Sequence, residues 1–448
     1  MPPSLIDGTN HLQQWQADLL NWDLIIEKAR ESGFLKRMRK LNPAYLFHVL
    51  VFGISCHIKP TFEEIYRIYI DFDDTEYTDG KIRIQSFANR FNVDLGNFLL
   101  LMLNYYIGLA LEDCPARIKG PVRNLKDILL QDSSIIRLSQ KLADLFPAAR
   151  SRGKAAGLKI HAVYSAVTHS LYSFEITSER VHDSKILKIT KDIKDKLIIF
   201  DLAYYSTKAF TKIHKFGGFF VCRVKTNATP KIVEVISSTH SVKNKFKKGM
   251  LLNDLLEKVN KKGNLDLICE FNVKNPTKEK KTNNDQINFR VVCFWDEKNQ
   301  IWHTYITNLP QDEYNNEEIY QLYEFRWIIE LLFKELKGDY DLGHLLLAKD
   351  PLAFVHIYSM LIRLVISRNL YKLIIQSVNE QIRYMYGPLL WSKIFAEKGK
   401  EFLGILNQEI FGTGTVRYRW KKLETSLRDL AKSRHKNYRR LSLKFISF

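Results

Sequence analysis

Two aspartates lie within or next to apolar runs that are expected to be buried strands. Asp132 lies within the apolar, β-branched run Ile128–Leu138, and Asp201 directly follows the apolar run Leu197–Phe200. A buried carboxylate is unfavourable unless it is paired with a cation or bound to a metal. Two carboxylates on strands that we expect to be neighbours make a suitable place for hard divalent cations. Either aspartate alone is also typical of a strand end or a turn.

A third carboxylate lies on a predicted helix over residues 323–337. At 100° per residue, this helix places four side chains on one narrow stripe: Tyr323, Arg326, Glu330 and Lys337. One acid between two cations suits a site that handles phosphates close to a metal. Taken alone, the stripe favours an ordinary amphipathic helix with a salt-bridged face. With the two aspartates, Glu330 completes a candidate site of three carboxylates.

The charge balance indicates a polyanionic partner. The chain has 448 residues, with 68 lysines and arginines against 49 aspartates and glutamates, which gives a formal charge of +19. Such an excess does not help folding, because like charges repel in the compact state. A generic basic surface is the alternative. Tyrosine and arginine are interleaved along the chain, which favours nucleic acid over a membrane as the partner.

Cysteine usage and the lengths of the apolar runs favour a cytoplasmic protein. The five cysteines are odd in number and scattered without metal-type spacing, so we expect reduced thiols. The N-terminus carries no basic-then-apolar signal segment. The most apolar run, Phe98–Leu111, is too short to cross a bilayer.

Residues 1–124 are predicted to form a helical DNA-binding domain. Apolar side chains recur at helical spacing, with breaks at His57–Pro60 and Asp71–Gly80. The helix after the second break carries polar side chains that suit contacts with DNA bases: Arg83, Gln85, Ser86, Asn89 and Arg90. This order is compatible with a helix-turn-helix-like DNA reader, and equally with an ordinary solvated helix face.

From residue 125 to residue 222 the pattern changes to strands. Three short, β-branched runs predict an antiparallel meander: Ile128–Leu138, Leu158–Val167 and Leu171–Ile176. A helix is expected to begin near Asp183 or Ser184, followed by a strand over Leu197–Phe200, a second helix and a strand over Gly218–Val224. Three strands, helix, strand, helix, strand is the order of a ribonuclease H-like catalytic core.

A β-rich insertion over residues 223–305 is predicted to interrupt this core. It has strand-like runs between lysine-rich loops such as Lys278–Lys281. Helical spacing returns in residues 306–380, the second part of the core with the Glu330 helix, and continues over residues 381–448. The last 38 residues hold 11 lysines and arginines against two acids. The predicted fold class is therefore α/β (α+β), with a helical and basic C-terminal region.

The helix with Glu330 resembles the signature of the DDE transposases of the insertion-sequence-four family, in which Tyr, Arg, Glu and Lys are separated by two, three and six residues. Every spacing fits, for Tyr323, Arg326, Glu330 and Lys337. Asp132-Ser133-Ser134 resembles the first-aspartate motif of that family, and Asp201-Leu-Ala-Tyr204 resembles the second. The resemblance covers residues 125–345 well and the ends of the chain only loosely.

The resemblance implies that Asp132, Asp201 and Glu330 hold two Mg²⁺ or Mn²⁺ ions in each active site. Such ions would activate water or a DNA 3′-hydroxyl and stabilise the leaving oxygen of an in-line phosphoryl displacement. The implied partner is double-stranded DNA, namely transposon inverted-repeat ends and target DNA. A homodimer would hold two ends in a synaptic complex, at the nucleoid of a prokaryotic cell.

DNA contacts are implied for further residues. Tyr323, Arg326 and Lys337 would hold phosphates beside the scissile bond, and Arg223 and Lys225 are candidates for backbone contacts. The route of the relatives implies cut-and-paste transposition through a hairpin end, with one base flipped out of the tight turn.

The sequence departs from the family pattern at two positions. Leu202 stands where the family commonly has an arginine, which removes one expected DNA contact. Trp302 is the candidate to hold a flipped base, because it lies 21 residues before Tyr323. Counted from Thr307, however, Trp302 is one residue out of register, which reverses its face on a strand. A core aromatic is the equal alternative. His161 we interpret as a structural histidine.

Two other functions stay open. One is a related metal-dependent nuclease that cuts DNA without strand transfer. The other is a transposon-derived DNA-binding protein that has lost catalysis, against which the three intact carboxylates argue.

Overall fold

The computed structural model describes residues 21–447 with several internal gaps. The gaps are residues 54–61, 73–79, 113–116, 119, 150–154, 240–241, 243–244, 274–284, 341, 343–349, 379–384, 411–415 and 433–445. The predicted break at His57–Pro60, most of the break at Asp71–Gly80, the Lys278–Lys281 loop and much of the basic tail beyond Phe411 lie outside the described residues.

A nine-stranded mixed sheet forms the centre of the protein. Its strands are β1 Asp127–Leu138, β2 Ala156–Ser165, β3 Ser170–Ser178, β4 Lys196–Phe200, β5 Phe219–Arg223, β6 Lys231–Ser238, β7 Asn264–Val273, β8 Asp285–Asp296 and β9 Ile301–Thr307. Across the sheet the order is β3-β2-β1-β4-β5-β9-β8-β7-β6. The pairs β1–β4 and β4–β5 are parallel, whereas the other neighbouring strands are antiparallel.

Helices pack on both faces of this sheet. They are α1 Trp22–Glu31, α2 Pro43–His48, α3 Phe62–Phe72, α4 Ile84–Ala88, α5 Val93–Glu112, α6 Thr207–Lys215, α7 Leu252–Lys258, α8 Asn316–Glu324, α9 Arg326–Lys337, α10 Asp350–Ser377, α11 Pro388–Glu397, α12 Gly399–Ile410 and α13 Val416–Leu430. A short ladder pairs Arg117–Ile118 with Ile446–Ser447.

Alternating side chains along the strands divide the core into two hydrophobic clusters, one on each face of the sheet. Along β4, Leu197 and Ile199 belong to one cluster, whereas Ile198 and Phe200 belong to the other. This is expected of a strand that is buried on both faces. The first cluster includes residues of α1–α5 and α8–α13, and we call that side the helix-bundle face. The second includes residues of α6 and α7, and we call it the α6 face.

The predicted meander and the predicted strands of the insertion are confirmed. The insertion does not form a separate sheet, because β9 pairs with β5 and thereby continues the central sheet, with Ile306 opposite Cys222. One further strand, β6, lies at the outer edge beyond β7.

The helix predicted to begin near Asp183 is wrong. The chain forms two short 3₁₀ turns there, Asp183–Lys185 and Lys191–Ile193. The Asp183 carboxylate accepts a hydrogen bond from Ser133 Oγ at 2.6 Å and one from Lys159 Nζ at 3.2 Å. These contacts tie the start of the segment to β1 and β2, so that a tertiary interaction overrides the local helical pattern.

The polar helix predicted in the N-terminal region is short. Arg83 is the residue before α4, and Asn89 is the residue after it. The side chains of Gln85, Ser86 and Arg90 are exposed, so both a DNA-reading face and a solvated face stay compatible with the structure. In the described part of the chain, α5 is long and apolar enough to cross a membrane, but half of that stretch is buried inside the protein.

A buried ion pair fastens the insertion to the start of α8. Arg290 on β8 is only 4% exposed and pairs with Asp266 on β7, with nitrogen–oxygen distances of 2.9 and 2.7 Å. Its remaining N–H groups donate to the carbonyl oxygen of Tyr314 at 2.8 Å and to the side chain of Asn316 at 3.1 Å. These bonds hold β7 and β8 of the insertion against the start of α8, the helix that precedes the one carrying Glu330.

We expect Arg290→Met to lower the free energy of unfolding by about 3–5 kcal/mol, because it leaves the buried Asp266 carboxylate without its counter-charge. Urea denaturation followed by circular dichroism measures this change. Lys298→Met, at an exposed position in the β8–β9 turn, is the matched control and is expected to change stability by less than about 0.5 kcal/mol. If Arg290→Met lowered the free energy of unfolding no more than the control does, the buried Arg290–Asp266 pair would not stabilise the fold.

Candidate active site

The two aspartates lie side by side on parallel strands. Gln131 on β1 is in register with Phe200 on β4, so Asp132 and Asp201 each occupy the next position along. Side-chain alternation places both on the helix-bundle face. Asp132 accepts a hydrogen bond from Ser133 N at 2.7 Å, and Asp201 accepts one from Ala203 N at 3.4 Å, where it caps a 3₁₀ turn.

Helix α9 brings the third carboxylate and a guanidinium to the aspartates. The predicted helix over residues 323–337 is interrupted at Phe325, which is 1% exposed and separates α8 from α9. α9 packs against β1 and carries Arg326 in its first turn, with Glu330 one turn later. Arg326 pairs with Glu330. The same nitrogen, Nη1, lies 4.0 Å from Asp132 Oδ2 and 3.8 Å from Asp201 Oδ1.

Arg326 therefore stands at the centre of the three carboxylates. The side chains of Asp201 and Glu330 are 33% and 32% exposed, whereas that of Asp132 is 16% exposed. The cluster thus opens to solvent on one side and is enclosed by protein on the other. The sequence stripe correctly placed Arg326 beside Glu330 but did not predict that one guanidinium nitrogen would lie close to all three acids.

Burial and like charges act together on Asp132. Burial raises the pKa of Asp132 to about 6, and the neighbouring charges of Asp201 and Glu330 act in the same direction. The hydrogen bond from Ser133 N and the charge of Arg326 oppose the rise. For Arg326, burial lowers the pKa, but Tyr323, Glu330 and Asp201 together outweigh burial and raise the pKa above its usual value.

The donor set suits a hard divalent cation, because carboxylate oxygens are the protein ligands that Mg²⁺ and Mn²⁺ prefer. Three such groups surround the guanidinium of Arg326: Asp132 on β1, Asp201 directly after β4 and Glu330 on α9. As the side chains stand, no group of three His, Cys, Asp or Glu in the described residues is arranged to hold an ion, and the guanidinium of Arg326 lies between these three.

The other residues of the predicted stripe differ in their surroundings. Tyr323 is 8% exposed, its hydroxyl is buried without a hydrogen-bond partner, and its ring lies 4.8 Å from that of Tyr305. The Arg326 guanidinium lies 5.7 Å from the centre of the Tyr323 ring. Lys337 ends α9, about 10 Å along the helix axis from Glu330. Burial lowers the pKa of Lys337, and nearby Arg137 adds to this effect.

The two cations predicted at the end of β5 lie in different places. Arg223 follows Val221 in the strand alternation, on the helix-bundle face, and its Nη2 lies 3.1 Å from His303 Nδ1. The Lys225 ammonium lies beyond the strand, 5.6 Å over the ring of Tyr205. The structure therefore brings Arg223 to the side of the sheet that carries the carboxylates, whereas Lys225 lies at its edge.

Trp302 lies on the α6 face, opposite the carboxylates. It is three residues from Tyr305, which packs on Tyr323, so the two side chains leave β9 in opposite directions. Its ring packs edge-on against Trp295, with centroids 5.4 Å apart, and its indole nitrogen is buried. Of the two alternatives for Trp302, this geometry favours a packing role.

A buried polar network lies behind the aspartates, on the α6 face. Asp183 binds Ser133, the neighbour of Asp132, as described above. His161 contacts the Tyr204 hydroxyl at 2.8 Å and Thr177 Oγ1 at 3.0 Å. Burial lowers the pKa of His161, and both ring nitrogens lie within hydrogen-bond distance of a hydroxyl group, a geometry that is compatible with a structural histidine. Tyr204 closes the turn that Asp201 caps.

Asp183 and Tyr204 were not predicted to take part in the site. Asp183 was interpreted as a helix cap, and Tyr204 as the end of the segment that resembles the second-aspartate motif. In the structure, His161 lies directly opposite Ser133 in the β1–β2 register, which brings this network next to Asp132.

A second buried ion pair fixes the position of α9. Glu335 on α9 pairs with Arg368 on α10, and the two side chains are 1% and 2% exposed. Because Glu335 lies five residues after Glu330, this pair anchors the helix on the side turned away from the aspartates.

Comparisons with known proteins agree with this architecture. The profile of the family described as "Transposase DDE domain" matches residues 123–366, which is more than half of the chain. The chain is 20% identical over 364 residues to the transposase for insertion sequence element IS231B of Bacillus thuringiensis subsp. berliner, covering 76% of this chain and 75% of that protein. It is 23% identical over 295 residues to the transposase for IS1151 of Clostridium perfringens, covering 57% and 59%.

One solved structure with a similar outline is the piggyBac transposase synaptic complex with hairpin DNA. It shares 10% sequence identity at a TM-score of 0.45, over 97% of this chain and 87% of that one.

The chain belongs to the transposase DDE domain family. It is a DNA transposase, an enzyme of the DDE type.

We expect Asp132→Asn to stabilise the protein when no divalent cation is added. The pKa of Asp132 is raised from 3.8 to about 6, so the folded state favours the protonated form. This contribution to stability is present below pH 4 and is lost as the pH rises through 6. The variant, which carries no charge there, should gain about 1–3 kcal/mol over wild type above pH 7 and nothing near pH 4.

Chemical denaturation in EDTA from pH 4 to pH 8 measures that difference. Asp144→Asn, an exposed position, is the control. A constant difference between Asp132→Asn and wild type across the pH range would show that the buried charge does not destabilise the fold.

Proposed function

We propose that Asp132, Asp201 and Glu330 are the catalytic residues of a cut-and-paste DNA transposase of the insertion-sequence-four type. The observation that carries the proposal is the convergence of the three carboxylates on one cation position, marked by Arg326 Nη1 within 4.0 Å of both aspartates and paired with Glu330. Asp132 on β1, Asp201 directly after β4 and Glu330 on α9 meet there, although Asp132 and Glu330 are 198 positions apart in the sequence.

Bound Mg²⁺ or Mn²⁺, two ions in each site, would activate water or a DNA 3′-hydroxyl and stabilise the leaving oxygen in an in-line displacement at phosphorus. The role of the protein is to hold the oxygen ligands in place. The parallel register of β1 and β4 fixes the separation of the aspartates, and the Glu335–Arg368 pair fixes the helix that presents Glu330. No side chain of this cluster needs to act as a nucleophile.

Cationic side chains around the cluster are suited to the phosphates on either side of the scissile bond. Arg326 and Arg223 lie on the same face as the carboxylates, and Lys337 lies two turns along α9. Tyr323 is buried against Tyr305, and the face of its ring contacts the guanidinium of Arg326. We therefore assign Arg326, Arg223 and Lys337 to direct phosphate contacts, Tyr323 to holding Arg326, and Lys225 to the DNA backbone at the sheet edge.

A homodimer that joins two inverted-repeat ends, at the nucleoid, follows from the same proposal, because one active site has to act on each end. Sedimentation or light scattering with and without end DNA tests this assembly. The excised end is proposed to pass through a hairpin. On a denaturing gel the hairpin product runs as one strand of about double length, and its absence throughout the reaction would leave a hydrolytic double-strand cut as the route.

The two rival functions are separated by one experiment. Full-length protein is incubated with Mg²⁺, a target plasmid and DNA that carries the inverted repeats flanking its gene. Cutting at the ends with joining to the target supports the transposase. Cutting without joining supports a nuclease, and binding without cutting supports a DNA-binding protein that has lost catalysis.

We expect Asp132→Asn, Asp201→Asn and Glu330→Gln each to lower the rate of end cleavage by at least about a hundredfold, with little further loss in the double variants, because the three act as one unit. DNA affinity at fixed salt should be retained or increased, since each change removes a negative charge near the phosphates. Cleavage assays and fluorescence anisotropy provide the two measurements.

Glu297→Gln makes the same chemical change at an exposed turn and should leave cleavage unaffected. If any one of the three site variants cut the ends at the wild-type rate, that residue would not belong to the catalytic set.

A further inference from the structure

We propose that Arg326 is a built-in counter-ion that competes with divalent cations for the three carboxylates, so that the protein binds metal tightly only when DNA draws the guanidinium away. This inference rests on the proposed function, because it assumes that the carboxylates are the metal ligands. It assigns to Arg326 a second role, distinct from contact with a phosphate.

Arg326 occupies the space that a bound cation would need. Nη1 of Arg326 lies 4.0 Å from Asp132, 3.8 Å from Asp201 and in contact with Glu330. A cation bound by all three carboxylates would have to lie in the same small space. The guanidinium and such a cation therefore exclude one another, and binding of the cation requires that Arg326 rotate out of the cluster.

Arg326 also balances the negative charge of the cluster. Three carboxylates that all approach the same guanidinium nitrogen lie close together and repel one another. One guanidinium offsets part of the repulsion. Arg326 stabilises the assembled cluster in advance of catalysis.

Arg326 is held in its present position by incompletely satisfied contacts and is accessible from solvent. Its Nε is buried and donates no hydrogen bond, so its present position leaves one donor unsatisfied, which costs free energy. The side chain is 24% exposed and lies 5.7 Å over the Tyr323 ring, a face that attracts cations. A DNA phosphate at the open side would accept hydrogen bonds from the exposed part of the guanidinium and draw it out of the cluster.

The consequence is coupling between the two ligands. If a phosphate holds Arg326 away from the carboxylates, DNA raises the affinity for the metal, and by linkage the metal raises the affinity for DNA by the same factor. Arg326 thus connects recognition of DNA with assembly of the catalytic centre.

The experiment measures Mn²⁺ binding by calorimetry on the full-length protein, without DNA and with a short uncleavable duplex. Arg326→Gln removes the competing charge at similar size. Without DNA, this variant should bind Mn²⁺ about tenfold more tightly than wild type, a factor within the usual range of coupling between sites. Adding DNA should raise the Mn²⁺ affinity of wild type by a similar factor. It should hardly change the Mn²⁺ affinity of Arg326→Gln.

Lys334→Gln is the matched control, since Lys334 is an exposed cation on the same helix and its removal changes the net charge equally. Its Mn²⁺ affinity should stay at the wild-type value. Arg326→Lys is a second variant that retains the charge in case Arg326→Gln does not fold, and its shorter, more mobile ammonium should give an intermediate affinity. Equal or weaker Mn²⁺ binding by the Arg326 variants overturns the counter-ion role.

The same data distinguish failure of this inference from failure of the proposed function. If wild type binds Mn²⁺, and Asp132→Asn and Glu330→Gln abolish binding while the Arg326 variants do not change it, the metal site stands and the counter-ion role fails. If Asp132→Asn and Glu330→Gln do not affect Mn²⁺ binding, the carboxylates are not the ligands, and both fail.

Discussion

The repulsion between Asp132 and Asp201, fixed side by side on parallel strands, is the interaction around which the site is organised. Hydrogen bonding between β1 and β4 fixes the backbone up to Gln131 and Phe200, the residues directly before the two aspartates, and so sets their separation. Neighbouring groups offset the repulsion between the two carboxylates. Arg326 supplies positive charge, and backbone N–H groups donate to each carboxylate. The structure thereby keeps negative charge concentrated where a cationic partner is needed.

The helix that delivers Glu330 is held from two sides. Phe325 at the interruption between α8 and α9 is buried in the core, and Glu335 is paired with Arg368 on α10. A buried ion pair contributes little net stability, since desolvation offsets most of the attraction. Its value here is orientation, because a rotation of α9 would separate the two charges and is therefore strongly opposed. Glu330 consequently projects toward the aspartates rather than along another face of the helix.

Much of this arrangement followed from local sequence patterns. β-branched runs predicted β1 to β5, because such residues suit a pleated and buried surface, and the stripe with Arg326 and Glu330 followed from helical periodicity. The contacts that were not predicted depend on distant partners. The 3₁₀ turns at Asp183 exist because Ser133 and Lys159 hold its carboxylate, and the insertion joins the main sheet because β9 pairs with β5. The face of Trp302 required a strand register, which local composition does not determine.

The continuity of the sheet also sets a scale for the DNA. The outer strand β6 is six strands away from β1, and at about 4.8 Å per strand this is a distance of about 29 Å. B-form DNA rises about 3.4 Å per base pair. A straight duplex that touched both the carboxylates and that outer edge would therefore have to extend over about eight or nine base pairs. The number of strands and the spacing between them therefore set the minimum length of such a duplex.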